Sequence, residues 1–284
     1  MTVGPNENTD SRNRLTGKVA VVSGAGSIGE GWGNGKAAAF VYGKEGAKTF
    51  CVDYRLEAAE ETVKIITEAG GEAVAYGADV TKEEEVENMV KSCLERWGQI
   101  DILHNNVGGQ GTGRSLDTIT VEDWNATFER NVTTAMLTCR KIVPIMEKQG
   151  NGSIINISSI AGIRHLNVPT AVYSSTKGAM IEFTKNIAIQ HARSGIRANC
   201  ICPGYIDTPF IRRLVNGKPS YTYKGYTSAA EYTAARDEIV PSGRMGTAFD
   251  VAYASLFLAS DESTHVTGIH IVVDGGVTAT APGV

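Results

Sequence analysis

Tyr173 and Lys177 are the two side chains whose types and spacing are best suited to chemistry. They stand four positions apart, a spacing that places both on one face of an α-helix. A free tyrosine hydroxyl has a pKa of about 10, so it exchanges protons poorly at neutral pH. A lysine cation beside the ring favours the phenolate and lowers that pKa. The pair therefore predicts a tyrosine general acid/base, although an exposed helix that carries the same two residues also fits the spacing.

Two serines precede this pair in the chain. Ser158 and Ser159 follow Ser153–Ile157, an apolar run that predicts a buried strand. Where such a strand ends beside the predicted helix, a serine hydroxyl can hold a substrate oxygen while Tyr173 moves its proton. Both serines are candidates for this role.

A glycine-rich turn near the N-terminal end predicts a site for a dinucleotide. The apolar run Val19–Ser23 leads into a turn that contains Gly24, Gly33 and Gly35, and Lys36 then opens an alanine-rich helix. Glycines let backbone N–H groups approach a pyrophosphate, and the helix N-terminus adds positive potential. Glycines also mark ordinary turns, so the prediction depends on the strand and helix on either side.

Asp53 ends the next predicted strand, eighteen positions after Gly35. A carboxylate there can accept hydrogen bonds from both hydroxyls of the adenosine ribose, and it would repel a 2′-phosphate. NAD is therefore favoured over NADP. Arg55 argues the other way, since an arginine at this point can bind that phosphate, and Asp53 could instead cap the helix that follows.

Polar or small residues follow two further predicted strands. Asp79 and Val80 come after the third strand, where a carboxylate could bind the adenine amino group, or could simply start the next helix. Asn105, Val107 and Gly108 come after the fourth strand. Small residues there would let the backbone pass close to a cofactor, although an ordinary strand-ending turn has the same sequence features.

Composition limits the class of protein. The 284 residues are 42% hydrophobic and carry a net charge of −4 without a basic stripe, so we expect a globular protein that does not bind nucleic acid. Residues 1–14 predict a flexible polar arm, and no apolar run approaches the roughly 20 residues of a membrane helix. Five scattered cysteines favour reduced thiols in a cytoplasmic protein, and no metal site is expected.

Short β-rich runs alternate with helical stretches from Lys18 onward. The alternation predicts one α/β domain over residues 15–284, with a parallel sheet between helices. The predicted strands are Val19–Ser23, Thr49–Asp53, Ala73–Tyr76, Ile100–His104, Ser153–Ile157, Ala198–Ile201 and Ile269–Val273. The predicted helices are Lys36–Glu45, Leu56–Ala69, Glu83–Trp97, Val121–Glu147, Ala171–Ala192 and Phe249–Ser260.

Residues 209–243 interrupt this alternation. They hold several glycines and prolines and the scattered tyrosines Tyr221, Tyr223, Tyr226 and Tyr232. An insertion of this length after a strand is often functional. It predicts a lid over the substrate, with a surface that packs on a neighbouring subunit as the alternative.

The chain is similar to the short-chain dehydrogenase/reductase family, in its single-domain subfamily. The shared elements, in the family's order, are the glycine-rich turn, Asp79-Val80, Asn105-Asn106-Val107-Gly108, Asn131, Ser159, Tyr173-x-x-x-Lys177, Pro203-Gly204 with Thr208, and Val273-Asp274-Gly275-Gly276. The resemblance implies a Rossmann-like doubly wound parallel sheet of about seven strands with helices on both faces. One departure is large: eight residues separate Gly24 from Gly33, where the family's turn is shorter.

The resemblance also implies a role for each matching residue. Tyr173 would be the general acid/base, Lys177 would bind the nicotinamide ribose, and Ser159 would orient the substrate oxygen. Asn131 would hold a water in a proton relay to Lys177, or else bind local backbone at a helix irregularity. The other cofactor contacts that the resemblance implies, with the enlarged turn included, are Gly24, Ser27, Ile28, Gly33, Gly35, Pro203, Gly204, Ile206 and Thr208. A homotetramer or homodimer is the expected assembly.

The residues that choose the substrate are the least determined. Gln110 and Arg114 belong to the loop after the fourth strand, His165 to the loop before the predicted catalytic helix, and Tyr205 to the end of the sixth strand. Each is a candidate substrate contact, and His165 and Arg114 could equally be solvated loop residues. His104 ends a strand and is more consistent with a packed histidine than with a catalyst.

These residues predict an NAD-dependent oxidoreductase. It would interconvert a secondary alcohol (a cyclic alcohol, diol or sugar-like compound) and its ketone by hydride transfer. The alternatives are an NADPH-dependent ketoreductase and, in another class, a non-catalytic dinucleotide-binding sensor. An enoyl reductase is disfavoured because that branch of the family spaces its tyrosine and lysine more widely.

Overall fold

Strands and helices alternate along most of the described part of the chain. The computed structural model describes residues 13–111, 115–166, 168–216 and 228–280. The strands are β1 (Val19–Ser23), β2 (Lys48–Asp53), β3 (Glu72–Gly77), β4 (Ile102–Asn105), β5 (Gly152–Ile157), β6 (Ile196–Pro203), β7 (Ile206–Asp207), β8 (Gly246–Thr247) and β9 (His270–Val273). The helices are α1 (Asn34–Lys44), α2 (Leu56–Glu68), α3 (Glu83–Trp97), α4 (Val121–Phe128), α5 (Thr134–Gln149), α6 (Ala171–His191), α7 (Pro209–Asn216), α8 (Ala229–Ile239) and α9 (Ala248–Ala259).

Seven strands form one parallel sheet in the order β3-β2-β1-β4-β5-β6-β9. This arrangement confirms the predicted fold class. The strand order reverses between β1 and β4, and in such sheets ligands bind in the crevice at the carboxyl ends of the strands beside that reversal. The predicted catalytic and nucleotide residues follow these strand ends.

Helices cover both faces of the sheet. On one face α1, α2 and α9 pack on the strands around an apolar core. The alanines of α1, such as Ala37 and Ala38, are fully buried in this core. On the other face α3, α5 and α6 pack against strand residues such as Phe50 and Leu103. Because both faces are covered, the strands are apolar on both sides rather than alternating, as the sequence shows.

The helix predicted over Val121–Glu147 forms, but a π-helical turn interrupts its α-helical hydrogen bonding. It is divided into α4 and α5 by a π-helical turn at Glu129–Thr133. Thr120 starts α4 with a capping box to Asp123. A π-helical turn accommodates an extra residue and is often found at functional sites. Periodicity alone could not show this break because the helical pattern continues through it.

Two helices within residues 209–243 were absent from the sequence-based prediction. They are α7 and α8, and β7 and β8 pair beside them in a small parallel sheet. Ser228 caps α8 by accepting the Glu231 N–H. Tyr221, Tyr223 and Tyr226 lie outside the described residues, as do residues 1–12 of the predicted arm. Of the rest of that arm, Arg14 is paired with Glu262 at 2.6 Å.

Two further sequence-based predictions concern the cysteines and membrane-spanning helices. All five cysteines are free thiols and buried. No helix in the described parts of the chain is long and apolar enough to cross a membrane.

Candidate active site

A cavity of about 340 Å³ opens at the carboxyl ends of β1, β4, β5 and β6. That volume is within the usual range for small-molecule sites. The sequence-predicted residues that line it are Gly24, Ser27, Ile28, Gly33, Asp53, Val107, Gly108, Gln110, Ser159, Tyr173, Lys177, Pro203, Gly204, Tyr205, Ile206 and Thr208. The fold therefore brings the predicted catalytic residues and most of the predicted cofactor residues to one cavity.

The catalytic wall consists of Ser159, Tyr173 and Lys177. The Lys177 Nζ lies 5.7 Å from the centre of the Tyr173 ring and donates to the Ile157 carbonyl at 2.9 Å. The Ser158 hydroxyl donates to the Lys177 carbonyl at 2.7 Å, which ties the end of β5 to α6. The Ser159 side chain is close enough to the Tyr173 phenol to lower its pKa. The hydroxyl, the phenol and the ammonium are thus held on one surface.

Burial shifts the pKa values of Tyr173 and Lys177 in this wall. It raises the pKa of the Tyr173 phenol, and the hydrogen bond from Ser159 offsets part of that rise. Burial also lowers the pKa of Lys177 to about 8. The expected lowering of the tyrosine pKa is therefore wrong for the chain by itself, because desolvation of the phenol outweighs the opposing contribution of Ser159.

Asn131 lies in the π-helical turn, beneath the loop that follows β4. Its Oδ1 accepts the Gly109 N–H at 2.8 Å, and its Nδ2 donates to the Gly109 carbonyl at 2.9 Å and to the Thr176 hydroxyl at 2.9 Å. This is the predicted alternative, in which the side chain binds backbone at a helix irregularity. A Cβ built on Gly108 would lie 3.2 Å from Asn131 Oδ1 and 3.3 Å from Lys177 Nζ, so both polar atoms border the same glycine.

The nucleotide cradle is the turn from Gly24 to Gly35 together with the start of α1. A Cβ on Gly35 would lie 2.0 Å from the Gly24 carbonyl oxygen, so α1 rests directly on the turn. Gly24 itself has a φ of +73°, which favours glycine. The Asn106 amide donates to the same Gly24 carbonyl at 3.1 Å and joins the cradle to the loop after β4.

The start of α1 offers groups to a ligand. The N-cap residue Gly33 makes no side-chain cap, so the first N–H groups of the helix remain open to an anion. Asn34 Oδ1 is buried and has no hydrogen-bond partner among the described residues. A buried acceptor of this kind usually binds a ligand or an ordered water. The cradle therefore fits the pyrophosphate and hydroxyl groups of a dinucleotide.

Aromatic packing and a hydrogen bond from Arg55 help to hold the enlarged turn in place. Trp32 packs against Phe40 and Phe249, with ring centres 5.2 and 4.8 Å away. Arg55 Nη2 donates to the Ser27 carbonyl at 2.7 Å. The additional residues of the turn are thus anchored both to the helical layer and to the loop after β2.

Asp53 faces the cradle from the end of β2. Its Oδ2 accepts the Gly26 N–H at 3.0 Å, and its Oδ1 accepts the Arg55 N–H at 3.1 Å. Asp53 and Tyr54 line the cavity, whereas Arg55 does not. The carboxylate is therefore presented to the cavity, and the guanidinium beside it is turned towards the loop.

Known proteins resemble this chain over most of its length. The family profile described as "Enoyl-(Acyl carrier protein) reductase" matches residues 29–278. A relative from Xenopus laevis, "Dehydrogenase/reductase SDR family member 6", is 37% identical over 93% of this chain and 98% of its own length.

The chain belongs to the short-chain dehydrogenase/reductase family.

Two solved structures of similar proteins hold different cofactors. A 7α-hydroxysteroid dehydrogenase complexed with NADH has a TM-score of 0.82, with 30% identity over 94% of this chain and 97% of its own. A gluconate 5-dehydrogenase from Burkholderia cenocepacia in complex with NADP and tartrate also has a TM-score of 0.82, with 30% identity over 95% of this chain and 99% of its own. The family uses nicotinamide dinucleotides, and this chain is an oxidoreductase of alcohol- or ketone-type substrates.

Several predicted cofactor residues have other surroundings in this dehydrogenase/reductase. Asn105 was expected at the cofactor but is buried in the sheet, where its Nδ2 donates to Asn156 Oδ1 at 2.8 Å and its Oδ1 accepts from Thr138 at 2.8 Å. It joins β4 to β5 beneath the site. Asp79 Oδ1 accepts the Thr81 N–H and hydroxyl at 3.0 and 2.8 Å, and these two hydrogen bonds lie in the turn that leads into α3.

Other predicted residues lie away from the cavity lining as far as the chain is described. Val80 and Gly35 are buried, and His165 is exposed. Arg114 lies outside the described residues. His104 is fully buried, its Nδ1 is 2.9 Å from the Ser255 hydroxyl, and burial lowers its pKa to about 3, which confirms the prediction of a packed histidine.

Sequence reasoning indicated the segments on the substrate side of the cavity but not the individual residues. Asn34 at the cradle was not predicted, whereas Asn106 belongs to the predicted loop after β4. The other lining residues come mainly from the loop before α6 and from the segment 209–243: Leu166, Val168, Phe210, Ile211, Tyr232, Arg236 and Met245. Tyr232 and Arg236 are four positions apart, a helical spacing that could have drawn attention to α8.

Proposed function

We propose that this protein is an NAD-dependent oxidoreductase that interconverts a secondary alcohol and its ketone. The observation that carries the proposal is the convergence of Ser159, Tyr173 and Lys177 on the wall of a cavity whose other end is a glycine cradle. A serine, a phenol and an ammonium so placed can hold a carbinol oxygen, remove its proton and bind a ribose hydroxyl.

In the oxidative direction the Ser159 hydroxyl holds the substrate oxygen and Tyr173, as phenolate, takes the hydroxyl proton. The C–H bond of the carbinol carbon breaks as the C=O bond forms. A bound oxidised nicotinamide would supply the hydride acceptor and a positive charge at the site. The Lys177 ammonium would donate to the nicotinamide ribose, and Asn131 holds the loop after β4 through its hydrogen bonds to Gly109.

The remaining cofactor contacts follow from the cradle. The open N–H groups at the start of α1 would hold the pyrophosphate, with Ser27 and Ile28 beside it. Ile206 and Thr208 line the cavity next to the catalytic wall, where they would contact the carboxamide. These residues bind and orient; the redox chemistry belongs to the nucleotide.

The surroundings of Asp53 support NAD rather than NADP. Its carboxylate borders the cavity, where it can accept from ribose hydroxyls and would repel a 2′-phosphate. The Arg55 guanidinium, which could have bound that phosphate, is hydrogen-bonded to the Ser27 carbonyl instead. Arg55 therefore acts on the loop rather than on the cofactor.

Replacing the charge of Asp53 tests this preference. Asp53→Asn should tighten NADP binding by about 10- to 100-fold relative to NAD, because removing the charge repulsion at this cavity wall is worth about 1–3 kcal/mol. Dissociation constants for NADH and NADPH are measured by fluorescence titration. Arg55→Gln is the control and should weaken both cofactors alike, since it loosens the turn. Selective loss of NADPH binding in Arg55→Gln would instead make this arginine a phosphate ligand.

The reaction class is tested by absorbance at the NADH band over a panel of secondary alcohols and the matching ketones. We expect NADH formation with one chemical class of alcohol. A preference for NADPH with ketones would favour a ketoreductase, and reduction of an enoyl thioester would favour an enoyl reductase. Tight NADH binding without turnover of any substrate would favour the non-catalytic sensor.

A further inference from the structure

Asn34 carries a buried oxygen atom that has no hydrogen-bond partner within the chain. Its Oδ1 is buried and accepts a hydrogen bond from none of the described residues. The residue nevertheless lines the cavity, beside Gly24 and Gly33 of the cradle. Buried polar atoms in proteins nearly always have a partner. This oxygen is therefore suited to a donor that enters the cavity from outside the chain.

The backbone on either side of Asn34 fixes where its side chain lies. Asn34 is the first residue of α1. A Cβ on the preceding Gly33 would lie 3.5 Å from the Gly26 carbonyl oxygen, and a Cβ on the following Gly35 would lie 2.6 Å from Asn106 Nδ2. The start of the helix is thus held between the glycine-rich turn and the loop after β4, and the carboxamide is held with it.

Helix capping does not explain the asparagine. An asparagine at a helix N-terminus often accepts a backbone N–H through its side chain. Here the N-cap is Gly33, which makes no side-chain cap, and Asn34 Oδ1 accepts nothing from the described chain. His104 Nε2 is buried without a partner in the same way, but His104 lies outside the cavity lining. A ligand in the cavity can therefore reach Asn34 and not His104.

The orphaned atom is an acceptor, which restricts the group that can bind to it. A pyrophosphate at neutral pH offers only acceptor oxygens, so it binds the open N–H groups at the start of α1 and not Asn34 Oδ1. The donors of a nicotinamide dinucleotide are its ribose hydroxyls, the adenine amino group and the carboxamide. One of these donors must face Asn34 when the pyrophosphate lies on the cradle.

We propose that Asn34 is a cofactor-binding residue whose Oδ1 accepts a hydrogen bond from a donor of the bound dinucleotide. This proposal rests on the proposed function, because it concerns the cofactor of the same site. The backbone N–H groups of α1 hold the charged oxygens, and Asn34 fixes how the nucleotide is turned about them. Asn106 differs, because its Nδ2 already donates to the Gly24 carbonyl at 3.1 Å.

The first test removes the acceptor and keeps the shape of the side chain. Asn34→Leu should raise the NADH dissociation constant by about 5- to 50-fold, because a buried donor of the ligand loses its partner. The Tm of the protein without nucleotide should stay the same or rise, since the lost oxygen has no partner in the described chain. The increase in Tm caused by saturating NADH should become smaller.

Asn34→Ala is the second variant, because it removes the amide without adding apolar bulk, and it should show the same pattern. NADH binding as tight as in the parent, in both variants, would overturn the proposal. A fall in the Tm of both variants without nucleotide would also overturn it, because Asn34 would then stabilise the fold itself.

Two other asparagines provide controls. Asn106→Leu should lower the Tm without nucleotide, because the Gly24 carbonyl loses its donor. Asn125→Leu removes the same amide from an exposed position of α4 and should change neither the Tm nor the NADH dissociation constant.

Fragments of the cofactor locate the donor. Dissociation constants for ADP, ADP-ribose and NADH are measured by calorimetry on the parent and on Asn34→Leu. Weaker binding of all three assigns the donor to the adenosine half, of ADP-ribose and NADH alone to the second ribose, and of NADH alone to the carboxamide. NADH bound equally by parent and variant would overturn the role of Asn34 and leave the proposed function standing. A parent protein that binds neither NADH nor NADPH would overturn both.

Discussion

The catalytic wall and the nucleotide cradle work by opposite means. The wall depends on three side-chain groups, those of Ser159, Tyr173 and Lys177, and burial shifts the pKa values of the tyrosine and the lysine. The cradle depends on backbone N–H groups and on positions that carry no side chain, such as Gly35. Removal of one functional oxygen should therefore abolish proton transfer at the wall, whereas addition of one methyl group should disrupt nucleotide binding at the cradle.

Removing one oxygen from the wall should have the largest effect. Tyr173→Phe deletes the phenol that exchanges the proton, and turnover should fall by about 10³- to 10⁴-fold because general acid/base groups contribute on this scale. The NADH dissociation constant should stay within about twofold, since the cradle is untouched. Steady-state kinetics and fluorescence titration measure the two quantities.

A matched control exists on α9. Tyr253→Phe removes the same hydroxyl from an exposed ring and should leave both quantities unchanged. A Tyr173→Phe protein that turned over at the parent rate would contradict the role of Tyr173, because the reaction would then proceed without this phenol as proton carrier.

The wall could be predicted from the sequence because its geometry is local. Tyr173 and Lys177 share a helix, and Ser159 ends the strand that the same helix packs against, so spacing was sufficient. The direction of the tyrosine pKa was wrong because desolvation depends on residues far apart in the chain. The same limit explains Asn105, whose partners Asn156 and Thr138 come from two other elements.

The cradle and the lid segment were predictable in part. Glycine between a strand and a helix indicated the cradle, but the enlarged turn hid which residues line it. In the lid segment no short-range pattern brings Arg236 to Tyr205, which lies thirty-one positions away. Their contact depends on how α8 packs over the end of β6, which spacing along the chain does not encode.

Adding one carbon to the cradle should have the next largest effect. A Cβ on Gly35 would lie 2.0 Å from the Gly24 carbonyl, so Gly35→Ala must displace α1 from the turn. We expect NADH binding to weaken by at least about tenfold and the free energy of unfolding to fall by about 1–3 kcal/mol, the usual cost of overpacking. Fluorescence titration and urea denaturation measure these changes.

Gly29→Ala is the control within the same turn. A Cβ there meets Pro209 at 3.6 Å, an ordinary contact, so binding and stability should change little. If Gly35→Ala bound NADH like the parent, the cradle would not depend on the close approach of helix and turn.

The smallest expected effect is a change in the pH dependence of oxidation when the Ser159 hydroxyl is removed. The Ser159 hydrogen bond lowers the pKa of Tyr173 against the rise caused by burial. Ser159→Ala removes that contribution, so the pKa rises further. Oxidation needs the phenolate, so the rising limb of the plot of kcat/KM against pH should move to higher pH. We expect a shift of about one to two pH units, because a hydrogen bond to a charged group is worth about 1.5–3 kcal/mol.

The neighbouring serine provides the comparison for this shift. The Ser158 hydroxyl donates to the Lys177 carbonyl at 2.7 Å, so Ser158→Ala should loosen the junction of β5 and α6 without moving the limb. The pH profiles of both variants are measured with NAD at saturation. A Ser159→Ala profile that overlays the parent, or moves to lower pH, would mean that burial alone sets the tyrosine pKa and that the serine acts only on the substrate.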